Sequence, residues 1–201
     1  IVMIFPFQTV LSQIPANPPA LHLEGLRGSS KALILKEIQK SNKKTLLVVS
    51  ESYEKAERLL SDLSFFLGSQ GLVFFPPWDV MPYDLFSPHR GLVGQRLKCL
   101  HSLLEGNCRV LITTPHGLMQ RLIPLDMFRG SILRVKKGQQ MYPEIIRQRL
   151  QETGFQEVDM VEDQGDFSFH AHIVDVFPLQ TEEPIRLEFK REKKPVLLHL
   201  K

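Results

Sequence analysis

The stretch "KTLLVVSESYEKAERLLSDLSFFLGSQGLVFFP", residues 44–76, decides the fold class. "KTLLVVS" (44–50) is a continuous apolar run, β-branched in part, with the length of a buried parallel strand. Ser50 or Ser52 opens a helix, and Ala56, Leu59, Leu60, Leu63, Phe66 and Leu67 recur through it at helical spacing. Gly68 closes that helix as a C-cap. "GLVFFP" (71–76) is a second buried strand. Strand, helix, strand with a long apolar crossover joins parallel neighbours.

The same grammar continues outward. "NPPALHLEGL" (17–26) is a turn-rich lead-in to a short strand, and Ser29 or Ser30 caps a helix running to about Lys40, with Leu33, Ile34 and Ile38 on one face. "PPWDVMPYDLFSPH" (76–89) holds four prolines and is neither regular helix nor central strand. "GLVGQRLKCLHSLLEG" (91–106) is helical, and "CRVLITTP" (108–115) is a third buried strand. The first part is therefore α/β, with a doubly wound parallel sheet. After about residue 120 the pattern changes. "SILRVKKGQ" (131–139) reads as a half-buried strand, and "YPEIIRQRLQETGF" (142–155) as a helix with Pro143 in its first turn and Gly154 past its last. "VDMVEDQGDFSFHAHIVDVFP" (158–178) reads as strand, turn, strand, and "PIRLEF" (184–189) as one more strand. This part is a small α+β domain with antiparallel pairing. The boundary falls near 118–130, giving domains 1–118 and 119–201.

Composition narrows the function classes. A chain of 201 residues that is 43% hydrophobic and 23% charged has a globular core and suits one medium domain or two small ones. A net charge of +3 is weak for a dedicated nucleic-acid binder. The dense run Lys190-Arg191-Glu192-Lys193-Lys194 reads as a solvated edge or tail. Two cysteines, Cys99 and Cys108, offer no disulfide framework and no metal-ligand spacing, and they fit a reducing cytoplasm. "IVMIFPFQTV" (1–10) is short, is interrupted by Pro6 and Gln8, and lacks the basic start of a signal peptide, so a docking strand or a frayed terminus is expected, and no membrane span.

"FFPPWDVMPYDLFSPHRGLVGQRLKCL" (74–100), followed by "VLITTPHGLMQRLIP" (110–124), resembles the N-terminal region of bacterial transcription-repair coupling factors, which is itself similar to the excision-repair helicase subunit UvrB. The second half agrees through "KKGQ", "LQETGFQEVDMVEDQGDFSFHAHIVDVFP" and "PIRLEF". The resemblance spans about residues 21–189, and its motifs at 76–88 and 165–178 are specific as a pair. It implies that residues 1–118 match an incomplete RecA-like, P-loop NTPase-like domain and that the rest matches the small inserted domain that docks on UvrA. It also implies contacts with the motor domains of the full-length family proteins. The RNA-polymerase-binding module and the translocase motor lie beyond this length in the family.

"EGLRGSSKALIL" (24–35) is a phosphate-binding loop with parts missing. Against G-x-x-x-x-G-K-[ST], Gly25 and Lys31 are in place, Ser30 replaces the second glycine and Ala32 replaces the magnesium-binding hydroxyl. In the family's active relative the loop resembles G-A-T-G-S-G-K-T, and Gly25, Gly28, Ser29 and Lys31 survive from it. The second glycine lets backbone N–H groups close around phosphates, and the lost hydroxyl is a Mg²⁺ ligand. The degenerate nucleotide loop Gly25, Gly28, Ser29 and Lys31 is thus expected to be a capped helix start with a solvated lysine. Neither hydrolysis nor a cofactor is expected.

The resemblance assigns partner binding to Gln156, Phe167, Phe169, His170, His172 and Phe177. His170-Ala171 stands where the family places Arg-Gly, and Gln156 where relatives carry a basic residue, so the bidentate charge of arginine is lost at the first position. Alternation leaves open whether Phe167 and Phe169 or the alternate side chains face the core. His170 and His172 would share one face of a strand, but with no further ligand in reach no metal site is expected. Asp159, Glu162, Asp163 and Asp166 read as a solvated hairpin end. His89 and His116 are lone loop histidines with no catalytic company. Trp78, Tyr83 and Phe86 are expected to anchor the proline-rich loop rather than stack bases. No aromatic-rich insertion follows Phe86-Ser87-Pro88, where UvrB-type helicases carry a strand-separating hairpin.

The sequence thus leads to a cytoplasmic, non-catalytic module of nucleotide excision repair that recruits UvrA through its α+β domain, with DNA binding weak or absent. The alternatives are a residual nucleotide-binding or ATPase domain using Gly25 to Lys31, and a DNA-binding module using Trp78, Tyr83 and the 190–194 run.

Overall fold

The computed structural model describes residues 22–41, 44–81 and 84–190, and the backbone of a strand at 197–200. The expectations for residues 1–10, for Tyr83 and for 191–194 lie outside the described residues. The chain divides into two compact units. One holds the described residues up to Pro77 together with Cys99–Met119, and the other holds Trp78–Lys98 with the residues from Gln120 onward.

The first unit contains α1 (Ser30–Ser41), β1 (Leu46–Val49), α2 (Tyr53–Leu67), β2 (Leu72–Phe75), β3 (Val110–Thr113) and α4 (Pro115–Met119). Helix α3 (Arg90–Leu104) begins in the second unit and ends in the first. The sheet is parallel in the order β1-β3-β2, with Leu46 and Leu72 both opposite Val110. Helix α2 has the expected caps. The Ser52 side chain accepts the Lys55 N–H, and Gly68, at φ 72°, closes the last turn by donating to Ser64. Its stripe puts Ala56 and Leu63 at zero exposure against Ala32, Phe74, Val110 and Ile112. Truncating Leu63 to alanine in such a core would remove about 2–5 kcal/mol.

Two expectations need revision here. Of the stretch expected to lead into a strand (17–26), residues 17–21 lie outside the described residues, and 22–27 form no strand: His22, Glu24, Gly25 and Arg27 are exposed, so nothing there is buried to offset the ordering of a ladder. Residues 44–50 do contain a strand, but among the described strands β1 is paired on one side only, and it is not fully buried. Leu46 and Val48 pack on the core, while Leu47 and Val49 stay 55% and 48% exposed.

The second unit contains α5 (Leu125–Ser131), α6 (Pro143–Glu152), β4 (Gln156–Glu157), β5 (Asp166–His170), β6 (Ile173–Val176), β7 (Ile185–Phe189) and β8 (Leu197–Leu200). Its sheet runs β4-β5-β6-β7-β8, parallel between β4 and β5 and antiparallel elsewhere. Helix α6 starts at Pro143, as the sequence predicts, and lays Ile146 and Leu150 on Phe167, Val174, Val176, Leu187 and Phe189. Asp175 and Arg186 face each other across β6 and β7 in a two-pronged pair at 2.7 and 2.8 Å, which holds the Arg186 guanidinium still more firmly protonated. The strand expected over 131–139 is absent. Ser131 ends α5, Leu133, Arg134 and Lys136 are exposed, and only Val135 reaches the core, which is too little burial to hold a ladder. Helices α4 and α5 are additions to the sequence reading.

Candidate functional site

At the start of α1 the glycines Gly25 and Gly28 take positive φ (74° and 53°), as a phosphate loop would require. The rest of the loop is arranged differently. Ser29 occupies the N-cap position, its carbonyl accepting the Leu33 N–H at 3.1 Å. The Ser30 hydroxyl does not cap; it donates backward to the Arg27 carbonyl at 2.7 Å. Lys31 is exposed. Ala32, at the position of the magnesium-binding hydroxyl, has zero exposure and faces the apolar core. A P-loop also needs a strand leading into it, and residues 22–27 supply none.

The second unit places the other candidates on β4, along β5, in the following turn and just past β6, on both faces of its sheet. Register puts Phe167 opposite Val176 and Phe169 opposite Val174, so both rings lie on the α6 side, the face the sequence left undecided. Phe167 is fully buried and offers a partner nothing directly; its role is packing. Phe169 is half-buried beneath the Arg147 guanidinium, 5.1 Å from its ring centre, and Arg147 is held in turn by Glu157 at 2.9 and 3.0 Å. By alternation the opposite face carries Asp166, Ser168, His170 and Asp175. Half-buried Phe177 lies on that face too, its backbone exchanging hydrogen bonds with Gly165 and Asp166. Gln156 is exposed on the two-residue edge strand β4.

His170 and His172 do not share a strand face. His170 ends β5, and the next two residues form a tight turn in which Ala171 has φ 49°, the one positive φ outside glycine among the described residues. His170 is exposed, with Nε2 3.4 Å from the Asp159 carbonyl, while His172 is half-buried. Beyond the two-residue β4, the β5 edge next to Phe169 and His170 has no further strand among the described residues, a form that accepts extended chain.

Sequence reasoning missed the arginines. Asp166 is buried rather than solvated, and Arg90 reaches it at 3.1 Å. Arg96 is 3% exposed, stacked 4.1 Å from the Trp78 ring centre and bonded to Gln120 at 3.1 Å. Trp78 is thus a structural anchor as expected. Phe86 is not: it is 81% exposed, beside Leu85 at 97%. Among the described residues no group of three or more His, Cys, Asp or Glu could hold a metal, and no helix is long and apolar enough to cross a membrane.

The comparisons with known proteins fit this geometry. The profile of the UvrB interaction domain matches residues 133–193, the segment that forms α6 and most of the five-stranded sheet. The transcription-repair-coupling factor of Haemophilus influenzae is 33% identical over 177 residues, 88% of this chain. Those of Escherichia coli K12 and Myxococcus xanthus are 32% and 34% identical over 82% and 92% of it. Over most of its length the chain is similar to a part of bacterial transcription-repair-coupling factors, and residues 133–193 match the UvrB interaction domain. It spans 15%, 14% and 16% of the length of these three relatives.

Proposed function

We propose that the chain is a partner-presenting module of transcription-coupled excision repair, with the second unit docking UvrA and the first, an incomplete RecA-like domain, serving as its scaffold. One observation carries the reading: the segment that matches the UvrB interaction domain is the segment whose sheet ends in an under-covered edge bearing Gln156 and His170. Half-buried Phe169 supplies apolar contact next to His170, Phe177 supplies it on the opposite face beside Asp166, and His170 supplies a hydrogen-bonding ring. The buried Ala32 supports a non-catalytic role for the first unit, because the position of the Mg²⁺ ligand faces the core. In a longer coupling factor, the same module would pack against motor domains of its own chain. The experiment is a titration of UvrA with the intact chain, repeated with His170→Ala and Phe177→Ala. Saturable binding, weakened about tenfold by either substitution, is the expected result. No binding by the intact chain would refute the reading.

A further inference from the structure

The candidate edge is held by a residue from a distant part of the sequence. Arg90, the first residue of α3, lies 43 positions before the segment that matches the UvrB interaction domain begins. Its Nη1 donates to the Gln164 carbonyl at 2.8 Å and to Asp166 Oδ1 at 3.1 Å, and its Nη2 donates to Gln156 Oε1 at 3.4 Å. The other Asp166 oxygen accepts the Asp163 N–H at 3.2 Å, so the carboxylate is used on both sides. Gln156 is tied by its backbone to Gly165, and Gln164 by its side chain to the Thr181 carbonyl. One turn into α3, Gly94 lies so close to the Leu179 carbonyl that the helix start has little freedom to shift against the sheet. The guanidinium fork therefore spans both ends of the 156–166 excursion and sets the direction of the one exposed amide on β4.

We propose that Arg90 is a positioning residue for the partner-binding edge, acting through Gln156, so that the partner-presenting surface is built from two separate pieces of chain. The inference rests on the UvrA reading given above and deepens it. A lysine at 90 would keep the charge beside Asp166 but lose the planar fork that reaches three acceptors.

The test is a double-substitution cycle on UvrA affinity, using the intact chain with Arg90→Ala, Gln156→Ala and both together, each checked for native circular dichroism. Each single substitution should weaken binding about fivefold, and the pair should weaken it no more than either alone. Arg90→Lys should fail to restore affinity. A purely structural Arg90 would give independent losses that multiply in the double variant, and that result overturns the inference while leaving the UvrA reading intact. A silent Gln156→Ala overturns it equally. Failure of the unsubstituted chain to bind UvrA is a separate outcome, which removes the reading itself.

Discussion

The loop at 24–35 and the hairpin at 166–176 depart from their family patterns in opposite ways. In the loop several letters persist, Gly25, Gly28, Ser29 and Lys31, but their surroundings differ: the described residues 22–27 form no strand before them, and Ala32 is sealed in the core. In the hairpin the sequence reading expects Arg-Gly and finds His170-Ala171, and the chain there makes a tight turn with Ala171 held at φ 49°. A motif reports function only when its backbone context survives with it. The loop keeps the positive φ of Gly25 and Gly28 but buries the position of the magnesium-binding hydroxyl, while the hairpin holds Ala171 in a conformation that suits glycine.

The largest expected effect tests what holds the hairpin unit together. A Cβ at Gly94 would sit 1.7 Å from the Leu179 carbonyl oxygen, against backbone that cannot yield as a side chain would. Gly94→Ala should cost about 3 kcal/mol. Denaturation followed by fluorescence of Trp78, the chain's only tryptophan, would register it, since Trp78 lies in the same unit. An unchanged midpoint would break the grouping of 78–98 with the sheet.

The next test addresses the loop. Restoring its letters with Ser30→Gly and Ala32→Thr should yield no Mg-ATP binding and should destabilise the chain by about 2 kcal/mol, because a hydroxyl enters the core at position 32. Calorimetric binding of Mg-ATP by the double variant would show that spelling alone suffices there.

Two smaller effects sharpen the hairpin side. His170→Arg should raise UvrA affinity about fivefold by returning a charged fork to an exposed position. Ala171→Gly should stabilise the chain by roughly 0.5–1 kcal/mol, since the left-handed conformation penalises a Cβ by more than glycine loses in chain entropy. Guanidinium titration of that variant would check the sign.

The smallest effect concerns Cys108, buried in the first unit, where burial pushes its thiol pKa up. The folded state then holds the proton more tightly than the unfolded chain. This contribution to stability is fully present below the free-thiol pKa and is lost as pH rises through the alkaline range. Alkylation of native protein at mildly alkaline pH should therefore be slow at Cys108 and become fast on unfolding.

Much of this was legible in the sequence. Apolar runs and caps located β2, β3, α2 and α6, because a core-facing stripe and a terminal Ser, Pro or Gly are local properties. The one-sided pairing of β1 among the described strands was not legible, since an apolar run of "LLVV" reads the same with one face covered or two. Neither was the absence of ladders at 22–27 and 131–139, which depends on whether a neighbour is present. At the site, Gln156 and His170 are exposed, while Phe167 fell to the core by a register that alternation alone cannot choose. Arg90 escaped notice because its partners lie 66 to 76 residues away in the chain.

The contrast between the two regions can be read in a single experiment, hydrogen–deuterium exchange of the intact chain with and without UvrA. New protection should fall on residues 156–177 and leave 24–35 unchanged. Protection confined to 24–35, or none anywhere at saturating UvrA, would contradict the assignment of function to the sheet edge.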